Sequence, residues 1–302
     1  MIEEFKTFIA VVDYKNFTKA AEHLNLSQPS VSAHIKNLEN MFGVTLINRS
    51  IKQKNISITE SGYTLYKRAK EIISLLDVTF MDVKTLSSSI KGSLKIGASL
   101  TIGEYILPKF LAIFSKKYPD VDIEVIIENT SLISDELKKF KLDIGLIEGS
   151  ASSSLFKQEY FLDDNMVLAI PYNDSLKYSK FNIEDLQNKS WITREEGSGT
   201  REYLDLFFTE NKILTKSMMV LGSNLAVKEA VKNNLGITII SKHVIAEDEN
   251  RNEISSIKLD NHFTRSLSII YPKELTLSKA ASIFLDELKE YSSIIQLQNS
   301  KK

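Results

Sequence analysis

The chain has 302 residues, 38 Lys/Arg against 39 Asp/Glu, a formal net charge of −1 and no cysteine. That length exceeds one typical domain, so two or three compact units are expected. The lack of cysteine excludes disulfides, thiolate metal sites and cysteine nucleophiles together, and suits a reducing compartment. The opening Met-Ile-Glu-Glu-Phe has neither a basic n-region nor an apolar h-region. No stretch approaches the roughly 18 apolar residues of a membrane span, so a cytoplasmic protein with no membrane partner is expected. Charge is uneven along the chain. Between Lys15 and Lys70 nine Lys/Arg face three acids, which points to a polyanion partner for the first domain, although solvated basic faces are common.

Residues 2–14 place Ile2, Phe5, Phe8, Ile9 and Val12 at helical spacing, with Glu3 and Glu4 in the first turn where they suit the helix dipole. A second helix is expected from about Thr18, as N-cap, to Leu24. Ser27 then caps a third, with Pro29 in the first turn where its missing N–H costs nothing. The apolar face of this third helix is Val31, Ile35, Leu38 and Phe42, and Gly43 stops it. Val44–Thr59 reads as a hairpin, Val44 and Leu46 on one side and Ile56 and Ile58 on the other, around a basic tip from Arg49 to Asn55. Three short helices and a basic hairpin make a winged helix-turn-helix over residues 1–58.

Leu65, Ala69, Ile72, Leu76, Thr79, Val83 and Leu86 alternate steps of four and three, a heptad seam interrupted by one Thr. A helix apolar along one stripe needs a partner. Packing on its own domain is one reading, and pairing two chains into a homodimer, with a tetramer beyond it, is the reading taken. Residues 59–91 are thus a linker helix and hinge, closed by Ser87-Ser-Ser-Ile-Lys-Gly92.

From residue 92 strands alternate with helices. Strands are expected at Ser93–Ala98, Asp122–Ile127, Asp143–Ile147, Met166–Ile170, Trp191–Thr193, Met218–Val220, Ile237–Ile240, Ser255–Leu259 and Leu267–Tyr271. Helices are expected at Ile102–Tyr118, Leu132–Phe140, Ile183–Leu186, Thr200–Asn211, Leu225–Lys232 and Lys279–Glu290. Repeated βα units imply mixed, largely parallel sheets with ligands at the carboxyl ends of the strands. The fold class is therefore multidomain α/β. Residues 92–302 form two lobes, about 92–162 with 268–302 and about 163–267, and a cleft between them.

The Ser-Gln-Pro-Ser break before the third helix is where a helix-turn-helix meets base edges in the major groove. Ser27 and Ser30 suit phosphate, Gln28 a bidentate contact with adenine, and Ser32, Ala33 or His34 base edges or a thymine methyl. Lys36 and the wing residues Arg49, Lys52 and Lys54 suit phosphates, with salt-dependent affinity. Thr18 and Pro29 complete the candidate surface; the alternative is a break that only starts a helix. The series Phe17-Thr18-x-Ala20-Ala21-x-x-Leu24-x-x-Ser27-Gln28-Pro29-x-Val31-Ser32-x-x-Ile35-x-x-Leu38-Glu39-x-x-x-Gly43-x-x-Leu46-x-x-Arg49, followed by Thr59-Glu60-x-Gly62, resembles the LysR-type transcriptional regulators. The resemblance implies double-stranded DNA as partner, a linker helix, a periplasmic-binding-protein-like effector domain and contact with RNA polymerase. Two departures concern the wing: Ile47 stands where such proteins usually carry Phe, and the segment from Arg49 to Thr59 is slightly longer than usual.

Two turns suit a small anion at helix N-termini: Ser99-Leu100-Thr101-Ile102-Gly103 and Glu196-Gly197-Ser198-Gly199-Thr200. Asn129, Thr130, Ser131 and Asn224 lie where they complete such a site, and each also suits an ordinary N-cap. The resemblance implies a co-inducer held by these turns. The run from Thr193 to Arg201 is similar to the branch of the family regulating sulfur and cysteine metabolism, which implies sulfate or an acetylserine-like effector and no cofactor.

Enzyme chemistry is not indicated. Glu196 and Thr200 stand where a nucleophile elbow around Ser198 requires glycine, no P-loop lysine follows, and the four histidines lack ligand spacing. Asp163 and Asp164 are read as a solvated turn. A solute-binding protein explains residues 92–302 alone but predicts an export signal.

Overall fold

The structure is a computed structural model and describes residues 1–49, 56–84, 90–151, 153–177, 182–259, 264–273 and 276–299. The chain divides into two compact units, Met1–Ser87 and Ser88–Lys302.

The first unit begins with three helices, α1 (Ile2–Tyr14), α2 (Phe17–Leu24) and α3 (Gln28–Phe42). Each ends at a residue in the left-handed region: Lys15, Asn25 and Gly43. Ser27 caps α3 as expected, its hydroxyl accepting from the Ser30 amide at 3.2 Å. The cap of α2 differs from expectation. Asn16, not Thr18, is the N-cap, its side-chain oxygen accepting from the amides of Thr18 and Lys19, because the Asx geometry satisfies two orphan donors at once. Phe8, Val11, Ala20, Val31, Ile35 and Leu38 fill the core.

The wing strands β1 (Ile47–Arg49) and β2 (Ile56–Ile58) pair antiparallel. The segment from Val44 to Leu46, expected to be strand, is instead a connection. The Glu39 carboxylate fixes its end by accepting from the amides of Leu46 and Ile47 at 2.9 and 3.2 Å. The next helix, α4 (Glu60–Lys84), rests on the wing through Gly62. A Cβ there would lie 2.3 Å from the Leu46 carbonyl oxygen, so the Thr-Glu-x-Gly pattern is a close-approach requirement. The expected heptad seam divides. Leu65 and Ala69 pack on the head's own core, while Ile72 is 45% exposed, Leu76 half-buried and Thr79 exposed; outside the seam, Leu75 and Phe80 are 56 and 59% exposed. The side chain of Val83, residue Leu86 and the hinge residues 87–89 lie outside the described residues.

The second unit is two α/β lobes joined by long strands. One lobe orders its strands β4 (Val121–Ile127), β3 (Gly92–Ala98), β5 (Ile144–Glu148), β11 (Thr264–Pro272) and the first part of β6 (Phe156–Pro171). The other uses the last part of β6, paired with β9 (Thr238–Ser241) and β10 (Ile254–Lys258), beside the parallel pair β7 (Ser190–Arg194) and β8 (Ser217–Leu221). A bridge from Trp191 to Ile237 joins β7 to this sheet. Among the described residues, parallel pairing is found in β3–β4, β3–β5 and β7–β8 and in the Trp191–Ile237 bridge. The expectation of largely parallel sheets fails because β6 pairs antiparallel with β9, β10 and β11.

Helix α5 (Leu107–Lys117) is preceded by a π-helical turn at Ile102–Ile106, where the Leu107 amide donates to the Ile102 carbonyl. Pro108 has no N–H to continue the four-residue ladder, which accounts for the widened turn. Helix α6 spans Thr130–Lys138, α7 Gly199–Asn211, α8 Asn224–Lys232 and α9 Lys242–Asn250, and α10 (Lys279–Asn299) closes the unit against α5 through Phe110, Phe114, Phe284 and Tyr291.

Glu159 on β6 fastens α10 by accepting from Lys289, and from Tyr271 on β11. These bonds hold its carboxyl down at about 2, against an ordinary value of 4.5. A depressed folded value contributes stability above the unfolded one and loses it as pH falls toward the folded one. Acid unfolding of the second unit is therefore expected to steepen between those two values, and Glu159→Gln to flatten that part of the profile. Coincident acid-unfolding curves for wild type and variant would contradict the contribution.

Candidate functional site

On the first unit, α3 presents Ser27, Gln28, Pro29, Ala33 and Lys36 on its exposed side, with Ser30 and Ser32 half-buried. The Gln28 amide donates to the Ser32 hydroxyl at 3.0 Å, and the hydroxyls of Ser27 and Ser30 are 2.7 Å apart. These groups thus hold one another along the first turns. His34 faces elsewhere, its Nδ1 being 2.8 Å from the Thr7 hydroxyl on α1. Thr18 is exposed in the first turn of α2. Lys52, Lys54 and the side chain of Arg49 lie outside the described residues.

On the second unit, the two nominated turns converge on shared partners, Thr101 and Thr200 both bonding to Glu148 and Arg265. The Thr101 hydroxyl accepts from the Asn224 amide at 3.2 Å, and Asn224 Oδ1 accepts from Arg194 at 2.8 Å. Arg194 grips Glu195 through Nε and Nη2, both at 2.7 Å, and Glu195 accepts from Asn129 at 3.2 Å. The Ser131 amide donates to the Gly197 carbonyl at 3.1 Å. Gly197 has φ +84°, and a Cβ there would lie 2.8 Å from the Ser131 Cβ, so only glycine lets the loop approach so closely. Thr101, Asn129, Ser131, Gly197 and Asn224 therefore belong to one seam. Ser198 is the buried N-terminal residue before α7, and Leu100 is half-buried.

Behind the seam lies a buried ion cluster not anticipated from the sequence. Arg265, 0% exposed, donates to Glu148 and to Asp164, each at 2.8 Å, and to the hydroxyls of Thr101 and Thr200 at 3.1 and 3.0 Å. Glu148 also accepts from the Thr101 amide at 3.2 Å and the Thr200 hydroxyl at 3.1 Å, and Asp164 accepts from Ser241 at 2.6 Å. Burial alone would push the Glu148 carboxyl up, but the Arg265 charge and these bonds outweigh it and hold it below the ordinary range. An internal carboxylate thus takes one of the helix-terminal N–H groups that the sequence nominates for an external anion. Gly199 is required by the same packing, since a Cβ would sit 2.5 Å from Glu148 Cβ. Asp164 is corrected from a turn to a strand residue facing the interior, while its neighbour Asp163 is exposed. Counting Arg194 and Arg265 against Glu148, Asp164 and Glu195, the seam's own charge is −1.

Among the described residues, three buried hydroxyls of this unit have no hydrogen-bond partner: Ser99, Thr130 and Thr193. Ser99 follows β3, two residues before Thr101, and Thr130 opens α6 next to Asn129, whereas Thr193 on β7 has its side chain on the strand face opposite Arg194. Thr193, Arg194 and Glu195 were missed as site residues, although they open the run noted for its resemblance.

The geometry defines a helix-turn-helix protein carrying a two-lobed ligand-binding unit. Residues 2–63 match the bacterial regulatory helix-turn-helix protein, lysR family, and residues 87–293 match the LysR substrate binding domain. The chain is 45% identical over 286 residues to the HTH-type transcriptional regulator CysL of Bacillus subtilis (strain 168), covering 94% of this chain and 95% of that protein. A full-length OxyR variant from Pseudomonas aeruginosa shares the fold at 18% identity, TM-score 0.77, covering 96% of this chain and 94% of that one. The CcmR regulatory domain of Synechocystis PCC6803, in complex with 2-PG, aligns at 26% identity and TM-score 0.62, over 67% of this chain and 98% of that one. The chain belongs to the LysR family: it is a DNA-binding transcriptional regulator with an effector-binding domain, and not an enzyme. Among the described residues no helix is long and apolar enough to cross a membrane.

Proposed function

We propose that this regulator reads duplex DNA with the exposed face of α3 and is switched by a small anion bound at the seam between its two lobes. The observation that carries the effector half is the pair of unpartnered buried hydroxyls of Ser99 and Thr130, in the segments that supply Thr101 and Asn129 to the Thr101–Asn224–Arg194–Glu195–Asn129 chain of bonds. Because the seam's own charge is −1, an anion is held there by hydroxyls, N–H groups and Arg194 rather than by net positive charge. The likeness to CysL and the Thr193–Arg201 run support a place in the control of sulfur and cysteine metabolism, with sulfate or an acetylserine-like compound as effector. The CcmR complex with 2-PG supports an anionic ligand in such a domain. We further infer a cytoplasmic homodimer joined through the exposed Ile72, Leu75 and Phe80 stripe of α4, with a tetramer and RNA polymerase contact as further assembly.

On the DNA side, Gln28 reads a base edge, Ser27, Ser30, Ser32 and Thr18 position the helix, and Lys36, with Arg49, Lys52 and Lys54 of the wing, neutralises phosphates. Gln28→Ala is expected to reduce discrimination between the selected operator and random duplex by about 1 to 3 kcal/mol. Equal discrimination by wild type and variant in competition titrations would remove Gln28 from that role.

The effector is tested by thermal unfolding of the full chain with sulfate, thiosulfate, O-acetylserine, N-acetylserine and a set of aromatic and dicarboxylic acids. A ligand at 100 times its dissociation constant adds about 2.7 kcal/mol. Trp191, the single tryptophan, is buried in the effector unit and reports on it. Stabilisation by a sulfur compound that is lost in Ser99→Ala or Thr200→Val supports the assignment. Stabilisation by another acid alone discards the sulfur role.

A further inference from the structure

The Arg194–Glu195 pair is unequal in a way that bears on how the seam takes its ligand. Arg194 is the last residue of β7, in register with Leu221 of β8, and is fixed a second time by Asn224. Its side chain is 1% exposed. Glu195 is the first residue of the loop that turns at Gly197, and its side chain is 30% exposed. The cation is therefore built into the sheet, whereas its anion sits on a loop at the edge of solvent. Glu195 offers the guanidinium two oxygens at 2.7 Å each, the geometry an Arg fork selects in a carboxylate or one edge of a tetrahedral oxyanion.

We propose that Glu195 is an internal stand-in for the effector's anionic group, and that an effector presenting two anionic oxygens binds by displacing Glu195 from Arg194. This rests on the seam being the effector site. Ser99 and Thr130, two residues before Thr101 and next to Asn129 respectively, carry buried hydroxyls with no partner among the described residues, and these are the groups we assign to accompany the incoming group. The exchange has a structural consequence, because Glu195 also accepts from Asn129 of the facing lobe. Removing Glu195 from Arg194 withdraws the acceptor from that cross-lobe bond. The bound and free forms therefore differ in how the Glu195 loop is tied to the lobe carrying Asn129, a difference the ligand must produce if it is to shift any equilibrium. Affinity is set by competition: the stronger the internal carboxylate, the more effector is needed.

The test follows thermal unfolding of the full chain by Trp191 fluorescence, with sulfate and O-acetylserine as probes. Glu195→Gln keeps the shape and removes the competing charge, so the concentration giving half-maximal stabilisation should fall by about tenfold, within the range typical of coupled binding. Arg194→Gln should lose the response, and Arg194→Lys, which keeps the charge and discards the fork, should weaken it. Which probe responds distinguishes a free tetrahedral oxyanion from a carboxylate-bearing compound. An unchanged or raised half-maximal concentration in Glu195→Gln, with a response that still disappears in Ser99→Ala, overturns the exchange and leaves the seam reading standing. No response to either probe in wild type or in Glu195→Gln overturns both. A response in Glu195→Gln alone supports the exchange, with the internal carboxylate masking the site in wild type.

Discussion

Arg265→Met is expected to destabilise the effector unit by about 3 to 5 kcal/mol at neutral pH, because it strands two buried carboxylates without a counter-charge. Glu148 and Asp164 are 2 and 0% exposed. The pH dependence identifies the cause. In wild type the Arg265 charge, with the Thr101 and Thr200 bonds, overcomes burial and keeps the Glu148 carboxyl low, so its ionised form contributes stability above the unfolded value and loses it as pH falls. In the variant, burial prevails and the Glu148 carboxyl takes up its proton at higher pH. The deficit should therefore shrink as pH is lowered through the carboxylate range. Urea unfolding followed by Trp191 fluorescence at several pH values measures this. A deficit that is small at neutral pH, or constant with pH, would contradict the reading of the cluster as a charge-compensated keystone between β5, β6 and β11.

Ile35→Ala should have the second large effect, on the head. Ile35 is fully buried on the inner side of α3, within a turn of the half-buried Ser32 and the exposed Ala33. Removing three carbons from a packed site costs about 2 to 5 kcal/mol, depending on how far the cavity collapses. A unit of fewer than 90 residues has a small core and little stability to spare. Duplex binding should therefore disappear at a lower temperature than in wild type and return on cooling. Circular dichroism melts paired with anisotropy of a labelled duplex separate loss of folding from loss of contact. An unshifted head transition would place Ile35 outside the core.

Legibility in the sequence followed the range of the interactions. Ser27 as cap, Pro29 in the first turn and Gly43 as stop act within a few residues, and the apolar face Val31, Ile35 and Leu38 follows the helical period; all are local signals. The cap of α2 was misplaced because Asn16 and Thr18 are both good capping residues, and only the backbone decides between them. Strand β6 runs for 16 residues, yet the sequence marks only Met166–Ile170. Lys157, Gln158, Glu159, Asp163 and Asp164 read as loop until β11 lies beside them. Helix α9 is not marked in the sequence because Lys242–Asn250 has few apolar residues and buries only Val244, Ile245 and Asp248.

The candidate turns at Ser99–Thr101 and Ser198–Thr200 are legible as strand-to-helix hand-overs, and the structure links them through Glu148 and Arg265. The charged half of the site was not legible. Arg265 meets Asp164 from 101 residues away and Glu148 from 117, and no local pattern distinguishes a buried carboxylate from a solvated one. Arg194 and Glu195 are adjacent in sequence, but their unequal burial exists only once β7 ends between them.

Occupancy of the seam must change DNA binding if this regulator is switched there. The direct measurement is operator affinity and footprint of the full-length protein, on a duplex selected from random sequence, with and without the compound that stabilises the effector unit. Wild type should change its affinity or the extent of its footprint on adding that compound, whereas Thr101→Val and Asn224→Ala should bind the same duplex and not respond. An identical footprint and affinity in wild type with and without the compound, or an undiminished response in both variants, would contradict it.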